Sequence, residues 1–332
     1  MRAHILEKSA KRPRLVEVPN PEPAPHEVAV RTSAVSIHPV DVETADGGNA
    51  MLLPKGRPFV PGVDFVGRVD AVGAAVTGIA VGDRVFGYRG IAAQGAFAER
   101  LCIPAAELAT APAGHSDAEL ACLPLPALCA LQALDEASLD RPGRVLVHGG
   151  AGGVGSVAVQ VLARLGHEVT ATASGADAAW VGSLGASRVI DFKAERFDAV
   201  VKDQDLVLDT VGGDVLSSSF VALRPGGVVC SLRAMPTVAT LRAAGLSAPW
   251  FMAALLPILG FGARWKGRSA GARLVGQVTV PSGARLAKLR GLVGERAFHV
   301  RIHQTLSFDD LAAALDLVAG GKARGRVVVT VP

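Results

Sequence analysis

Val145-Leu-Val-His-Gly-Gly-Ala-Gly-Gly-Val-Gly-Ser156 decides the fold of this 332-residue chain. Its first three residues are apolar and read as a short buried strand. After the glycine run, Val157 to Leu165 carry apolar residues at helical spacing. Gly150, Gly152 and Gly155 fit G-x-G-x-x-G, with Gly153 and Val154 between them, and the motif stands between strand and helix as a dinucleotide fingerprint requires. One glycine makes the turn, one lets the backbone approach a pyrophosphate, and one lets helix and strand pack closely. The first amides of the helix then face the phosphates along the positive end of its dipole. Glycine-rich turns also occur here without a ligand, but the flanks favour the dinucleotide.

Outward from this stretch, strands and helices alternate. The pattern predicts strands at 145–147, 168–173, 188–190, 205–209, 227–232 and 274–280, with helices at 154–165, 176–184 and 214–223. Such alternation is the signature of a doubly wound parallel sheet. Residues before Leu123-Pro-Leu-Pro126 read differently: Glu27 to Ser33 alternates in the period of a strand, and Gly62 to Gly87 offers short apolar runs punctuated by glycine. They suggest a partly open barrel. Helix 284–293, helix 308–319 and strand 326–331 close the chain. The expected division is therefore 1–124, 125–283 and 284–332, the last returning to the first domain.

Half of the residues are hydrophobic and the net charge is +4, which describes a globular protein and by itself implies no nucleic acid. The basic cluster Arg264, Lys266, Arg268 and Arg273 reads as a solvated face or a phosphate contact. A single-strand groove also wants stacking aromatics, and the chain has one tyrosine. No apolar run reaches the ~18 residues of a membrane span. The longest, Ala248 to Phe261, is broken by Pro249, Pro257 and Gly260 and is expected to pack over a cleft or in a subunit contact. The N-terminus lacks a secretory core, so the expectation is a cytoplasmic protein with no membrane partner. Cys102, Cys122, Cys129 and Cys230 show no C-x-x-C spacing and no disulfide framework.

Several separated motifs resemble those of the medium-chain dehydrogenases/reductases. Pro61-Gly-Val-Asp-Phe-Val-Gly-Arg-Val69 and Gly82-Asp-Arg-Val-Phe86 are similar to that family's barrel signature. Val147 to Gly155, Val207-Leu-Asp-Thr-Val-Gly-Gly213, Leu223-Arg-Pro-Gly-Gly227 and Gly321-Lys-Ala-Arg-Gly-Arg-Val-Val328 resemble its quinone-oxidoreductase branch. The resemblance runs from end to end. It implies an α/β protein with a GroES-like β-barrel domain, an inserted Rossmann doubly wound parallel sheet, a cleft between them, and a homodimer built on the strand at 274–280.

The resemblance also bears on metal. The zinc-dependent branch supplies three ligands at positions that here hold His38, Val63 and Leu125, and its structural-zinc loop is replaced by Arg89-Gly-Ile-Ala-Ala-Gln-Gly95. One ligand of three cannot hold a catalytic zinc, so no metal is expected. Hydride transfer to a quinone or an α,β-unsaturated carbonyl suits a metal-free site, because the acceptor's own oxygen takes up the charge.

The expected catalytic residues are His38 as a donor to a substrate oxygen, Cys129 beside the nicotinamide and Tyr88 as a proton donor, each with a packing role as its rival. Around the cofactor, Ser174 at the tip of the second strand resembles NADPH enzymes, with Arg188 or Lys193 offered to a 2′-phosphate and Asp177 capping the next helix. NADH stays open. Asp209, Thr210, Val211, Ser231 and Leu232 end two strands at the carboxyl edge of the sheet and are expected at the nicotinamide ribose. Two alternatives compete: an NADPH-binding sensor, scaffold or RNA-binding protein without turnover, and a zinc-free alcohol dehydrogenase.

Overall fold

In a computed structural model, which describes residues 1–7, 10–48, 58–293 and 298–332, the chain forms two units. Met1–Leu125 and Pro281–Pro332 make one, and Pro126–Val280 the other. The first is built around strand Glu27–Ile37, whose residues are buried at most positions. It pairs antiparallel with Asp64–Val72 along one side, and with Arg100–Pro104 and then Arg326–Thr330 along the other. Its register shifts at Ala29/Val30 and at Thr32/Ala34, and such bulges bend a strand enough to curve a sheet. Arg84–Tyr88 and Leu108–Thr110 extend one side, while Ile302–Ser307 lies parallel to Arg326–Thr330. Val28, Val35, Phe65, Phe97, Leu311 and Val327 are among the residues of the core enclosed by this sheet and helix Leu311–Ala319.

The second unit is a parallel sheet whose strands lie in the order Arg188–Asp191, Glu168–Ala173, Arg144–Val147, Gln204–Asp209, Leu223–Ser231, Arg273–Gly276. Leu146, Val207 and Val229 run through its core. Strand order reverses between Arg144–Val147 and Gln204–Asp209, and ligands bind open α/β sheets at such a crevice. The α/β class with a GroES-like barrel and a parallel Rossmann sheet is thus the observed fold.

Three local expectations change, and the helix expected within 248–261 gains its bounds. The strand at 274–280 stops at Gly276, because the chain there turns to bond with helix Pro124–Ala137: Gln277 Nε2 donates to the Cys129 carbonyl, Gln132 Nε2 to the Val278 carbonyl, and Val280 N–H to Gln132 Oε1. Helix 214–223 is α-helical only over Gly213–Ser219 before a 3-10 turn at Phe220–Ala222. The apolar segment at 248–261 forms helix Trp250–Leu259, which meets a second helix, Phe261–Ser269, at Gly260. Finally, Asp117–Ala137 does have the length and hydropathy of a membrane span among the described residues, but most of it is buried as a core helix.

Candidate active site

The glycine turn is tighter than its motif suggests. Gly149, one position before the motif, takes the left-handed backbone conformation at φ +71°, and a Cβ there would fall 2.6 Å from Thr210 Oγ1. A Cβ on Gly155 would lie 2.1 Å from the Gly149 carbonyl oxygen, so helix Gly155–Arg164 can begin against the turn only with glycine at that place. Gly150 is pressed against Ala171 and Val181 in the same way. Gly152 is exposed, with Gly153 and Val154 half-buried, and its N–H donates to the Gly149 carbonyl at 2.8 Å.

A chain of hydrogen bonds fixes this turn from below. The Gly149 N–H donates to Thr172 Oγ1 at 3.2 Å, and the Gly150 N–H to the Thr172 carbonyl at 2.8 Å. His148 Nδ1 is 3.2 Å from the same hydroxyl and Nε2 is 3.2 Å from Ser219 Oγ, which donates to the Val215 carbonyl. Burial pushes the His148 pKa down to about 4, against the pull of Asp209. A neutral ring is what this chain needs: Nε2–H donates to Ser219 while Nδ1 accepts from Thr172. Phe197 packs edge-on against that ring at 4.4 Å.

The two strand ends at the crevice are tied together. Asp209 accepts from the Val211 and Gly212 amides and from Ser231 Oγ at 2.6 Å, and the Leu232 N–H donates to the Asp209 carbonyl. Asp209 and Ser231 are fully buried, so they hold the edge in shape, while Val211 is 51% exposed and lies open. Thr210 Oγ1 donates to the His148 carbonyl at 2.8 Å. A cavity of about 350 Å³ lies alongside, lined by His148, Gly149, Thr172, Phe192, Val211 and Val215 among others, a size that suits a flat heterocycle.

At the tip of Glu168–Ala173, Ser174 itself is the N-cap residue of helix Gly175–Ser183, and its hydroxyl donates to Asp177 at 2.9 Å. Asp177 thus sits three residues into the helix instead of capping it. A Cβ on Gly175 would lie 2.5 Å from Asp191 Oδ2, so a second acid, from the neighbouring strand, stands behind the tip. Arg188 donates to the Val200 carbonyl and pairs with Glu195.

In the other unit, His38 opens helix Pro39–Ala45 and is only 1% exposed. Its Nε2 lies 2.9 Å from Asp64 Oδ2, and its Nδ1 lies 3.1 Å from Arg326 Nη2. The Leu125 N–H donates to both Asp64 oxygens at 3.1 Å, and Asp41 Oδ2 accepts from the His38 N–H at 2.8 Å. Burial lowers the His38 pKa, with Arg326 adding to the effect, and burial raises Asp41 to about 8. Asp64 is raised by burial against the opposing pull of Arg326. A neutral imidazole donating to Asp64 and accepting from Arg326 satisfies the geometry. The expectation of His38 as a donor to a substrate oxygen is therefore corrected: its ring nitrogens face Asp64 and Arg326 inside the barrel.

Two further expectations meet the same physics. Tyr88 is among the largest fully buried side chains, on the strand position opposite Asp64, and does not present its hydroxyl at a surface. Cys129 is 1% exposed, with its Sγ 3.0 Å from Thr279 Oγ1, and ties helix Pro124–Ala137 to the segment leaving the sheet. The residues at the zinc branch's ligand positions do not fit a metal. Val63 is apolar and buried, Leu125 offers only its backbone to Asp64, and a guanidinium already stands beside His38. Among the described residues, no three His, Cys, Asp or Glu side chains gather in a way that could hold an ion.

With this geometry established, the family comparisons agree. Residues 24–113 match the alcohol dehydrogenase GroES-like domain family, and residues 184–329 match the zinc-binding dehydrogenase family. The chain is 34% identical over 233 residues to a chloroplastic quinone-oxidoreductase homolog of Spinacia oleracea, covering 67% of this chain and 70% of that protein. It is 34% identical over 194 residues to a 2-methylene-furan-3-one reductase of Solanum lycopersicum, covering 56% of this chain and 50% of that one. Its backbone superposes on the quinone oxidoreductase of Coxiella burnetii with a TM-score of 0.79 at 27% identity, over 100% of this chain and 99% of that one. The chain belongs to the medium-chain dehydrogenase/reductase superfamily, in its quinone-oxidoreductase branch. It is an oxidoreductase of a family that uses NAD(P)H.

Proposed function

We propose that this chain transfers a hydride from NADPH to a quinone or an α,β-unsaturated carbonyl without a metal ion. Two observations support the reading: the turn is closed too tightly for a Cβ at Gly149 or Gly155, as close backbone approach to a pyrophosphate requires, and an arginine stands beside His38 at the zinc position. A bound reduced nicotinamide supplies the hydride. The backbone of Gly152 and Gly153 and the start of helix Gly155–Arg164 receive the pyrophosphate, while Thr172, backed by His148, holds the Gly149 end of the turn in place. Val211 and the cavity beside Phe192 offer apolar surface to the adenine. The acceptor's oxygen takes the charge, and with Tyr88 and His38 buried, water is the source of the proton.

A second reading concerns the cofactor alone. Asp177 and Asp191 place carboxylates near the tip of Glu168–Ala173, and a carboxylate there favours ribose hydroxyls over a 2′-phosphate. Titration with NADH and NADPH side by side, followed by a screen of quinones and enones, tests both. Protein that neither binds reduced nicotinamides nor oxidises them with any acceptor ends the proposal. Tighter NADH binding replaces only the cofactor assignment. Saturable binding without turnover supports the sensor reading.

A further inference from the structure

Helix Trp250–Leu259 breaks the rule for surface helices. Such a helix turns one apolar stripe inward and polar residues outward. Here no residue from Trp250 to Ala263 is polar, and the helix rests on the protein through Leu256, which is buried. Trp250, Phe251, Leu255, Ile258 and Leu259 all point outward, with Trp250 85% exposed. The next helix adds Phe261 and Trp265 to the same exposed set, and just beyond them stand the exposed cations Lys266 and Arg268. Arg264 lies between the helices, donating to the Leu256 and Pro257 carbonyls that end the first.

The sequence that carries these helices is one-sided in charge. From Val215 to Gly294 the sequence contains no aspartate or glutamate and ten lysines and arginines. At the chain's average of 30 acids in 332 residues, about seven would stand there. Two acids from outside pair with the stretch, Asp205 with Arg224 and Glu136 with Arg273, and neither pairs with a cation of the two helices.

We infer that helices Trp250–Leu259 and Phe261–Ser269 form a docking surface for an anionic phospholipid membrane. Exposed tryptophan and phenylalanine beside lysine and arginine is the composition of a helix that lies in the headgroup layer, its apolar face entering the acyl boundary and its cations meeting lipid phosphates. A second copy of the chain fits less well. A two-fold contact brings the same patch against itself, so Lys266 and Arg268 would be set against a patch whose two helices carry no acid. An anionic surface meets the apolar and the cationic residues together. The docking is peripheral, because helix Trp250–Leu259 has ten residues and a span needs about twenty. It is independent of the proposed hydride transfer, and its test needs no turnover.

The test is co-sedimentation of the full chain with vesicles of phosphatidylcholine alone and of phosphatidylcholine mixed with phosphatidylglycerol, at low and high salt. Tryptophan emission is followed in parallel. The expected result is partitioning about tenfold stronger onto the phosphatidylglycerol vesicles, with a blue shift from Trp250 and Trp265 and a loss of binding as salt screens the charges. Trp250→Ser with Ile258→Ser lowers partitioning about tenfold. Lys266→Glu with Arg268→Glu removes the preference for anionic vesicles. These four residues are exposed, and unchanged far-UV circular dichroism of both double variants establishes that they fold. The inference is overturned by failure to sediment with phosphatidylglycerol vesicles or by equal uptake on both vesicle types. It is also overturned by a dimer in sedimentation equilibrium that Trp250→Ser with Ile258→Ser converts to monomer, since the face would then belong to a second copy.

Discussion

A single methyl group added at Gly155 would stand 2.1 Å from the carbonyl oxygen of Gly149, a separation that forces the turn or the helix to move. Gly155→Ala is expected to cost about 1–3 kcal/mol of stability and to weaken cofactor binding more than Gly152→Ala, as read by urea denaturation and fluorescence titration. Arg326 is the second residue whose loss is predictable. Removing it takes away the hydrogen bonds from its guanidinium to the buried His38 ring and the Cys122 carbonyl, together with the cation that opposes the burial of Asp64, and leaving such buried groups unsatisfied costs about 1–3 kcal/mol. Arg326→Met should unfold at markedly lower urea, and adding Asp64→Asn should recover part of the loss; a double-mutant cycle measures the coupling. Asp41 gives a pH signature. Its folded pKa of about 8 lies above the ordinary 3.8, so the folded chain holds a proton that the unfolded chain has released, and stability falls as pH rises between those values. His148, depressed to about 4 from 6.5, works in the opposite sense, and its contribution is lost as pH falls from 6.5 towards 4. Between pH 4 and 6.5 the two slopes offset. From pH 6.5 to 8 the aspartate's stands alone of the two, worth up to about 2 kcal/mol. Asp41→Asn, which keeps the acceptor for the His38 amide, should remove that slope in denaturation curves taken across the range. Sequence made Gly150, Gly152 and Gly155 readable because their spacing is local. It could not reveal that Gly149 is the left-handed residue, since two adjacent glycines satisfy the same pattern. Nor could it pair Arg326 with His38, which is 288 residues away.

Elements were more legible than contacts. Strand Glu168–Ala173 and helix Gly155–Arg164 follow directly from periodicity, and their flanks mark the glycine turn between strand and helix. What periodicity hides is the polar residue on an otherwise buried strand. Thr172 belongs to the alternating Val169-Thr-Ala-Thr-Ala173, and its position at the carboxyl edge was the available signal for a role. Thr172→Val removes the acceptor for the Gly149 amide, and a lost hydrogen bond of about 1 kcal/mol corresponds to a roughly fivefold rise in cofactor Kd. Thr172→Ser should restore binding, and isothermal titration of both variants distinguishes an oriented turn from a general loss of packing. The strand at the sheet edge carries the opposite lesson. Valine and threonine at 278–280 read as strand by propensity, yet Gln132 and Cys129 draw that segment out of the sheet, and tertiary bonds override propensity at an edge.

Taken whole, the molecule was readable in class and least readable where it departs from its relatives. Separated motifs in one order identified both the barrel and the inserted sheet, because each motif marks a turn whose geometry few residues satisfy. The acceptor remained out of reach because pocket shape comes from packing among distant loops. The proposed metal-free chemistry is testable at this scale. Dialysis against a strong chelator should leave reductase activity and melting temperature unchanged, and metal analysis should find well under one zinc per chain. Stoichiometric zinc lost together with activity would refute the proposed metal-free chemistry.

Strand Arg326–Thr330 completes the barrel by pairing with residues Ala34 to Ile37, and this sets the timetable of synthesis. The first 125 residues leave the ribosome with that edge unpaired, and the whole of Pro126–Val280 is made before the partner strand exists. At about 5–20 residues per second the nascent barrel waits on the order of 10–40 s for its last strand. The inserted sheet unit has all its strands much earlier, so it is the part able to fold first. A truncation that removes the final strand would therefore strand an open-edged barrel attached to a finished nucleotide-binding unit, a species prone to edge-to-edge aggregation.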